Sequence, residues 1–317
     1  MPTRADADPF AADLDAFVED LRVRRYSPAS AKLLKNSLPR LFAFLADQGV
    51  RDPRAVNETH LAAFARSLEK AKTRYHQTPL TPMTRRNYLR AVRSFFTFLA
   101  RRGLLLHNPA AELPLPKPHY LPRRVLTVRQ AARLMTAPSP WTHLGQRERA
   151  ILEVLYGSGI RRGECARLDV SDADLVQGTL LIKDSKGKRD RLVPLPGRAA
   201  SAIDAYLRES RPEILKDPSE KALFLSYTTG SRGRRLSVSA LARIVAKHAV
   251  AAKLPHVHPH ALRHTCATHV LQGGADLKHV QELLGHRSIA STVTYTRVGV
   301  RDLLDVFERA HPRERRR

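Results

Sequence analysis

The sequence predicts a mainly α-helical protein of two domains, with a small antiparallel β-sheet in the second domain. Apolar residues recur at helical spacing along most of the 317 residues. One segment, TLLIKDSKGKRDRLVPL, instead alternates between apolar and polar residues and is interrupted by Lys-Gly, a pattern typical of a β-hairpin. Four prolines within residues 114–122 favour an extended linker between the domains, although an ordinary spacer would have the same composition.

The first domain, residues 1–113, is predicted to contain four helices. The first covers residues 10–21. The second is predicted to run unbroken from Ser27 to Gly49, because a serine cap followed by proline favours a helix start and glycine favours its end. A third helix is expected at 59–72 and a fourth from Thr81 to Gly103, with KTRYHQTPLTP as an exposed loop between them.

After a linker at 114–124, the second domain spans residues 125–317. It is predicted to begin with a helix capped by Thr127 and a longer helix near Arg147–Tyr156. A glycine-containing turn and a short helix from Arg162 follow. The remaining predicted elements are the hairpin, a short strand at Leu223–Leu225 that would extend its sheet, and helices at 198–210, 237–251, 260–272, 276–284, 288–296 and 301–310.

The charge balance indicates a polyanionic partner. The chain has 55 Lys and Arg residues against 30 Asp and Glu residues, a formal net charge of +25, and both domains are basic. Two cysteines cannot form a disulfide framework, so a cytoplasmic location in a reducing cytosol is the simplest expectation. The polar start MPTRADADPF has no signal-peptide core, and no apolar run of about 18 residues predicts a membrane span.

Several common catalytic motifs are absent from the sequence, including the phosphate-binding glycine loop, HExxH and GxSxG. The densest acidic cluster is Asp169, Asp172 and Asp174, whose carboxylates could hold Mg²⁺. The cluster lies between a predicted helix and a predicted strand, where aspartates commonly cap and turn. A structural role is therefore favoured, and a metal-dependent nuclease is poorly supported.

Histidines are dense near the end of the chain. A zinc site is conceivable, but Arg263 lies among these histidines and its charge would oppose a metal, and neither cysteine falls at ligand spacing. We therefore predict no metal and no cofactor, and expect Cys165 and Cys266 to be packing residues. The histidines are His256, His258, His260, His264, His269, His279 and His286.

His260 and Arg263 lie three residues apart on a predicted helix, so their side chains project from one face. A guanidinium beside an imidazole suits an anion that also exchanges a proton, such as a DNA phosphodiester. Cleaving a phosphodiester without metal needs a nucleophile, cations for the added charge, and an acid for the leaving oxygen. A tyrosine phenol, with a pKa of about 10, would need a base or a cationic pocket to attack.

The segments GSGIRRGE, KGKRDRLVPL, HPHALRHTCATH, LLGH and TVTYTRV carry a specific family pattern. With them the chain resembles the tyrosine site-specific recombinases of the phage integrase family, most closely those of the bacterial XerC/XerD type. The resemblance runs from about residue 10 to the end, with His286 23 residues after Arg263 and nine before Tyr295. It implies six catalytic residues, Arg161, Lys186, His260, Arg263, His286 and Tyr295.

The resemblance also implies their roles. Arg161 and Arg263 would bind the non-bridging oxygens of the phosphate, and His286 would add a hydrogen bond. Tyr295 would attack phosphorus and form a 3′-phosphotyrosyl link, assisted by His260 as a base. His264 is expected to pack behind the site.

Lys186, in the hairpin turn, would protonate the leaving 5′ oxygen. Lys183 and Lys188 flank it as alternatives, and Ser185 stands where the family often has glycine.

By the same resemblance, the first domain is a helical, SAM-like core-binding domain that forms a clamp around duplex DNA with the catalytic domain. The implied partners are a double-stranded recombination site, a homotetramer or a heterotetramer with a second recombinase, and, as an optional addition, a DNA translocase. The helix from about Arg301 is expected to pack onto a neighbouring protomer, with packing on its own domain as the alternative.

Two other functions remain open at this point. A phage or mobile-element integrase would share all six residues, but such enzymes often carry an extra N-terminal domain, and only about ten residues precede the first predicted helix here. The ending AHPRERRR also resembles Xer C-termini. A non-catalytic DNA-binding protein on the same scaffold is disfavoured by the intact set of six.

Overall fold

The chain folds into two compact units, Met1–Leu121 and Pro122–Arg317. The structure is a computed structural model and describes residues 9–73, 77–117, 125–183, 190–255, 257–284 and 297–314. Within these ranges, no helix combines the length and the apolar character that crossing a bilayer requires.

The first unit is helical and has a core rich in phenylalanine. Its helices are α1 (Pro9–Val23), α2 (Pro28–Ser37), α3 (Pro39–Asp47), α4 (Glu58–Lys70) and α5 (Pro82–Arg101). Phe95, at the centre of α5, makes an edge-to-face contact with Phe17 of α1 at 5.6 Å between ring centroids. Both rings are completely buried.

The predicted unbroken helix from Ser27 to Gly49 is wrong. It splits into α2 and α3 at Leu38-Pro39, because proline has no N–H to donate and its ring clashes with the preceding turn. The predicted loop between α4 and α5 is described only at its ends. There Lys72 and Pro79 form an isolated antiparallel bridge, so these ends fold back on each other.

The second unit combines helices with one small sheet. The order is α6 (Val128–Met135), α7 (His143–Gly157), α8 (Arg162–Arg167), β1 (Ala173–Asp174), β2 (Thr179–Ile182), β3 (Arg191–Pro194), α9 (Gly197–Ala205), α10 (Arg211–Ile214), α11 (Val238–Ala251), α12 (Pro259–Gln272), α13 (Leu277–Leu284) and α14 (Arg297–Ala310). The sheet is antiparallel in the order β1-β2-β3. The β2–β3 pair confirms the predicted hairpin, whose turn at 184–189 lies outside the described residues.

Three predicted elements of this unit differ from the structure. The strand at Leu223–Leu225 does not join the sheet: Leu225 makes only an isolated bridge with Arg235, and the two-residue β1 forms the sheet edge instead. The helix predicted at 198–210 is α9 followed by a π-helical turn, Tyr206–Ser210. The helix predicted at 288–296 lies outside the described residues.

The core of the second unit surrounds α7 and α12, which pack against each other. Helix α12 is buried on several sides, with Leu262 and Cys266 fully inaccessible to solvent. Its position fixes the residues that it carries relative to the end of α7.

Helix α14 packs on α12, α13 and β3 of its own unit through Leu303, Phe307 and Ala310, which are each 3% exposed or less. Its docking onto a neighbouring protomer stays a prediction.

Candidate active site

The turn after α7 places Arg161 at the start of a helix. Gly159 in this turn has a φ of +58°, and a Cβ there would lie 3.1 Å from Sγ of Cys266. Glycine is therefore required both by the backbone conformation and by the close approach of α12. Arg161 follows as the N-cap residue of α8, with its side chain about half exposed at 49%.

Glu164 holds Arg161 at two points. One carboxylate oxygen, Oε2, accepts a hydrogen bond from the backbone N–H of Arg161 at 2.7 Å, and Oε1 accepts one from its guanidinium at 2.8 Å. Arg191, at the start of β3, also donates to Oε2 at 2.9 Å. Burial alone would raise the pKa of Glu164, but the hydrogen bonds from Arg191 and Arg161 outweigh it and lower that pKa, so the carboxylate is charged.

Arg263 is the buried arginine of the site. It lies on α12 with 4% exposure, donates to the carbonyl oxygen of Gly159 at 2.7 Å, and also donates to the carbonyl oxygen of Leu284. Burial and then repulsion from Arg161 lower the pKa of Arg263 to about 10, so it stays protonated at neutral pH. The bond to Gly159 ties α12 to the turn that carries Arg161.

His260 lies one turn before Arg263 on α12 and is exposed. The preceding N-cap residue, His258, accepts a hydrogen bond from the backbone N–H of Ala261 through Nδ1 at 3.1 Å. The rings of His258 and His260 are nearly parallel, with centroids 6.4 Å apart. His260 thus lies in the first turn of α12, directly after the capped N-terminus.

The structure therefore brings Arg161 and Arg263 together and places His260 on the helix that carries Arg263. The other three predicted residues, Lys186, His286 and Tyr295, lie outside the described residues. Lys183, an alternative to Lys186, forms an ion pair with Asp172 at 2.5 Å.

Two residues of this constellation were missed by the sequence analysis, Glu164 and Arg191. A glutamate three residues after Arg161 fits the capping-box spacing and could have been noticed. The pairing of Glu164 with Arg191 had no sequence signal, because 27 residues separate them.

The aspartate cluster caps and turns, as predicted. Asp174 accepts from the backbone N–H groups of Val176 and Gln177, and Asp172 accepts from that of Asp169. In the part of the chain that the structure describes, no three His, Cys, Asp or Glu side chains are grouped as metal ligands.

The two cysteines are buried packing residues. Burial raises the pKa of both thiols, that of Cys266 to about 12, so neither is a thiolate near neutral pH.

Two charged guanidinium groups can bind a phosphate-like anion, and an exposed imidazole on the same helix as one of them can exchange a proton. Residues 124–301 match the model of the phage integrase family, and residues 14–103 match the phage integrase N-terminal SAM-like domain. The chain belongs to the phage integrase family.

Curated relatives within this family refine the assignment. The chain is 41% identical over 313 residues to tyrosine recombinase XerC of Mycobacterium bovis, covering 95% of this chain and 99% of the relative. It is 37% identical over 305 residues to tyrosine recombinase XerC of Oceanobacillus iheyensis, covering 95% and 96%. The chain is thus a Xer-type tyrosine recombinase, an enzyme of site-specific recombination.

Solved structures share the fold of this tyrosine recombinase. A lambda integrase tetramer bound to a Holliday junction matches with a TM-score of 0.65 at 18% identity, covering 96% of this chain and 79% of that chain. The Tn1549 transposon integrase, in complex with circular intermediate DNA, matches with a TM-score of 0.65 at 18% identity, covering 92% and 98%.

Proposed function

We propose that this recombinase cuts and rejoins double-stranded DNA at a specific site by transesterification, in a tetramer on two recombination sites. The observation that carries the proposal is the convergence of Arg161 and Arg263, with the exposed His260 one turn before Arg263 on the same helix. Relatives named tyrosine recombinase XerC and a neighbour solved as a tetramer on a Holliday junction support DNA as the substrate and the tetramer as the assembly.

In this proposal Arg161 and Arg263 bind the non-bridging oxygens of the scissile phosphate. Both guanidinium groups are fixed before the substrate arrives, one by Glu164 and one by backbone carbonyls, so they need no reorganisation as charge develops. His286 adds a hydrogen bond to the same phosphate. Partial burial strengthens these interactions because less water screens them.

The chemistry is a balanced exchange of one ester for another. His260 assists removal of the phenolic proton of Tyr295, the phenolic oxygen bonds to phosphorus, and the bond from phosphorus to the 5′ oxygen breaks. Lys186 gives that oxygen a proton. A 5′ hydroxyl from the partner strand reverses the step, so strands are exchanged without ATP. Side chains supply the nucleophile, the cations and the acid, so the step calls for no metal or cofactor.

The biological role we propose is the resolution of chromosome or plasmid dimers in the cytoplasm, which links the enzyme to chromosome partition and cell division. Residues 1–113 would serve as the core-binding domain, 114–124 as the linker and 125–317 as the catalytic domain. This role implies two further partners, a second recombinase in a heterotetramer and a DNA translocase.

A suicide substrate nicked near the cleavage site tests the proposal. The wild-type protein is expected to form a covalent DNA adduct, also in EDTA, and Tyr295→Phe is expected to form none. Tyr227→Phe is the matched control, because its ring packs under Arg147 and Arg232 and the substitution keeps the ring. An adduct that persists in Tyr295→Phe, or that strictly requires metal, would contradict the mechanism.

A further inference from the structure

A carboxylate stands between two arginines beside the phosphate-binding site. Glu164 is 8% exposed and receives two hydrogen bonds from Arg161 and one from Arg191. The side chain of Arg191 is 11% exposed, against 49% for Arg161. The pair of Glu164 and Arg191 is therefore shielded from water, while Arg161 reaches toward solvent.

The sum of the charges in the site explains why Glu164 needs Arg191 as a second arginine partner. Arg161, Arg263 and Glu164 alone would sum to a single positive charge, because the carboxylate offsets one guanidinium. Arg191 restores a net charge of two, and it lies close enough to Arg263 to lower the pKa of that residue. A phosphodiester carries one negative charge and gains a second in the transition state, so the net charge of the site bears directly on the rate.

The placement of Arg191 also fits a dedicated contact. Its Cα pairs with that of Ile182 across the hairpin, so the strand register fixes its backbone. Its Nε is buried and has no hydrogen-bond partner among the described residues. An unsatisfied buried donor is costly, which indicates that the guanidinium is oriented for Glu164 at the expense of its Nε–H donor.

We propose that Arg191 is a positioning residue of the recombinase: it neutralises and holds Glu164, so that Glu164 orients Arg161 without cancelling the charge that Arg161 presents to the phosphate. This inference rests on the proposed function, because it assigns Arg161 to the scissile phosphate. Arg191 itself does not touch the substrate.

One competing role must be separated from this one. Arg191 lies five residues after Lys186 in the same hairpin, so it could act on the leaving-group acid instead. The two roles concern different oxygens of the phosphate. Arg161 stabilises the charge on the non-bridging oxygens, whereas Lys186 protonates the bridging 5′ oxygen, so modified substrates distinguish them.

The first measurement is the rate of adduct formation on the nicked suicide substrate, together with duplex affinity. Arg191→Gln is expected to slow adduct formation by at least about tenfold while affinity changes by less than about twofold. Arg191→Lys, which keeps the charge, is expected to recover part of the rate. Arg211→Gln is the matched control: Arg211 is also partly buried, but donates to the carbonyls of Glu220 and Ala222.

The second measurement repeats the assay on two modified phosphates. A methylphosphonate lacks the negative non-bridging oxygen, so the defect of Arg191→Gln relative to wild type is expected to shrink to within about threefold. A bridging 5′ sulfur leaves without a proton, and on that substrate the defect is expected to persist. Rescue by the sulfur and not by the methylphosphonate would overturn the proposal in favour of an effect on Lys186.

A double-mutant cycle with Glu164→Gln completes the test. If Arg191 acts through Glu164, Arg191→Gln is expected to cost less than about twofold in the Glu164→Gln background. Equal costs in both backgrounds would overturn the proposal, as would a wild-type rate in Arg191→Gln. For each variant, the rate on a modified phosphate is divided by the rate on the unmodified phosphate, so a loss of folded protein does not change this ratio. Absence of the adduct in wild type would instead reject the proposed function itself, and this inference with it.

Discussion

At the scale of single residues, the two arginines of the site are held in different ways. Arg263 is buried and fixed by the carbonyls of Gly159 and Leu284, so its geometry follows from the fold. Arg161 is half exposed and is fixed by a carboxylate, so its effective charge depends on what else binds Glu164. At Arg263 the fold therefore fixes the position of the cation. At Arg161 the effective positive charge depends on the partners of Glu164.

Burial of one histidine gives the protein a specific acid sensitivity. His311 is completely buried, stacked on Phe307 with ring centroids 4.7 Å apart and lying beside Tyr156 and His269. Burial lowers the pKa of His311 from 6.5 to about 3. Between these values the unfolded chain binds a proton that the folded chain does not, so stability falls as the pH drops below 6.5.

We expect His311→Phe to remove this contribution to the pH dependence of stability. The loss of unfolding free energy between about pH 7 and pH 5, measured by urea unfolding, should be about 2 kcal/mol smaller than in wild type. His143→Phe, a change at an exposed histidine of the same unit, serves as the control. Equal pH dependence in wild type and His311→Phe would refute the assignment.

At the scale of elements, helix α14 has two faces with different roles. Its inner face is buried within the second unit, and the segment after it is anchored by a buried ion pair between Arg313 and Glu153. Glu314 also accepts a hydrogen bond from the backbone N–H of Gly197 at 2.8 Å. Among the described side chains of this helix, those left accessible to a neighbouring protomer lie on the exposed outer face, which carries Glu308 and Arg309.

Substitutions on the two faces of α14 should separate stability from assembly. Phe307→Ala is expected to lower the unfolding free energy by about 3–5 kcal/mol, because it leaves a cavity against the core. The double reversal Glu308→Arg with Arg309→Glu keeps the net charge and should change stability by less than about 0.5 kcal/mol. Cooperative assembly on DNA, measured by gel shift, should fall in this double variant; unchanged cooperativity would contradict docking onto a neighbour.

At the scale of the whole molecule, the formal net charge of +25 is the feature that bears most on DNA binding. The excess of Lys and Arg is spread over both units, so phosphate contacts are expected from each of them. Each contact releases counterions from the duplex, which makes affinity depend on salt.

Affinity for the duplex is accordingly expected to fall by about 10³–10⁵-fold between about 50 and 200 mM salt, as for proteins with 6–10 phosphate contacts. Titrations of a labelled duplex over this range measure the slope. A non-target duplex of equal length is the control and should show a comparable slope at lower affinity. A flat response would exclude duplex binding as the main interaction.

Local features of the chain were predictable because local interactions determine them. Thr81 and Thr127 cap their helices as expected, each accepting a backbone hydrogen bond at 3.1 Å, and the alternating segment around 179–194 forms the β2–β3 hairpin. The break before Pro39 was also encoded locally, but the apolar periodicity continues across it and outweighed the proline in the prediction.

The sequence by itself determined most of the helix positions and the hairpin, and it predicted Arg161, His260 and Arg263 as site residues, since spacing and motif are properties of adjacent residues. Only the tertiary structure decided which side chains form ion pairs and which donate hydrogen bonds to backbone carbonyls. The contacts of Arg263 with Gly159 and of Arg191 with Glu164 join residues 104 and 27 positions apart. No periodicity encodes such pairs, because they depend on how α12 packs against the end of α7 and on how β3 approaches α8, and that packing is set by the core as a whole.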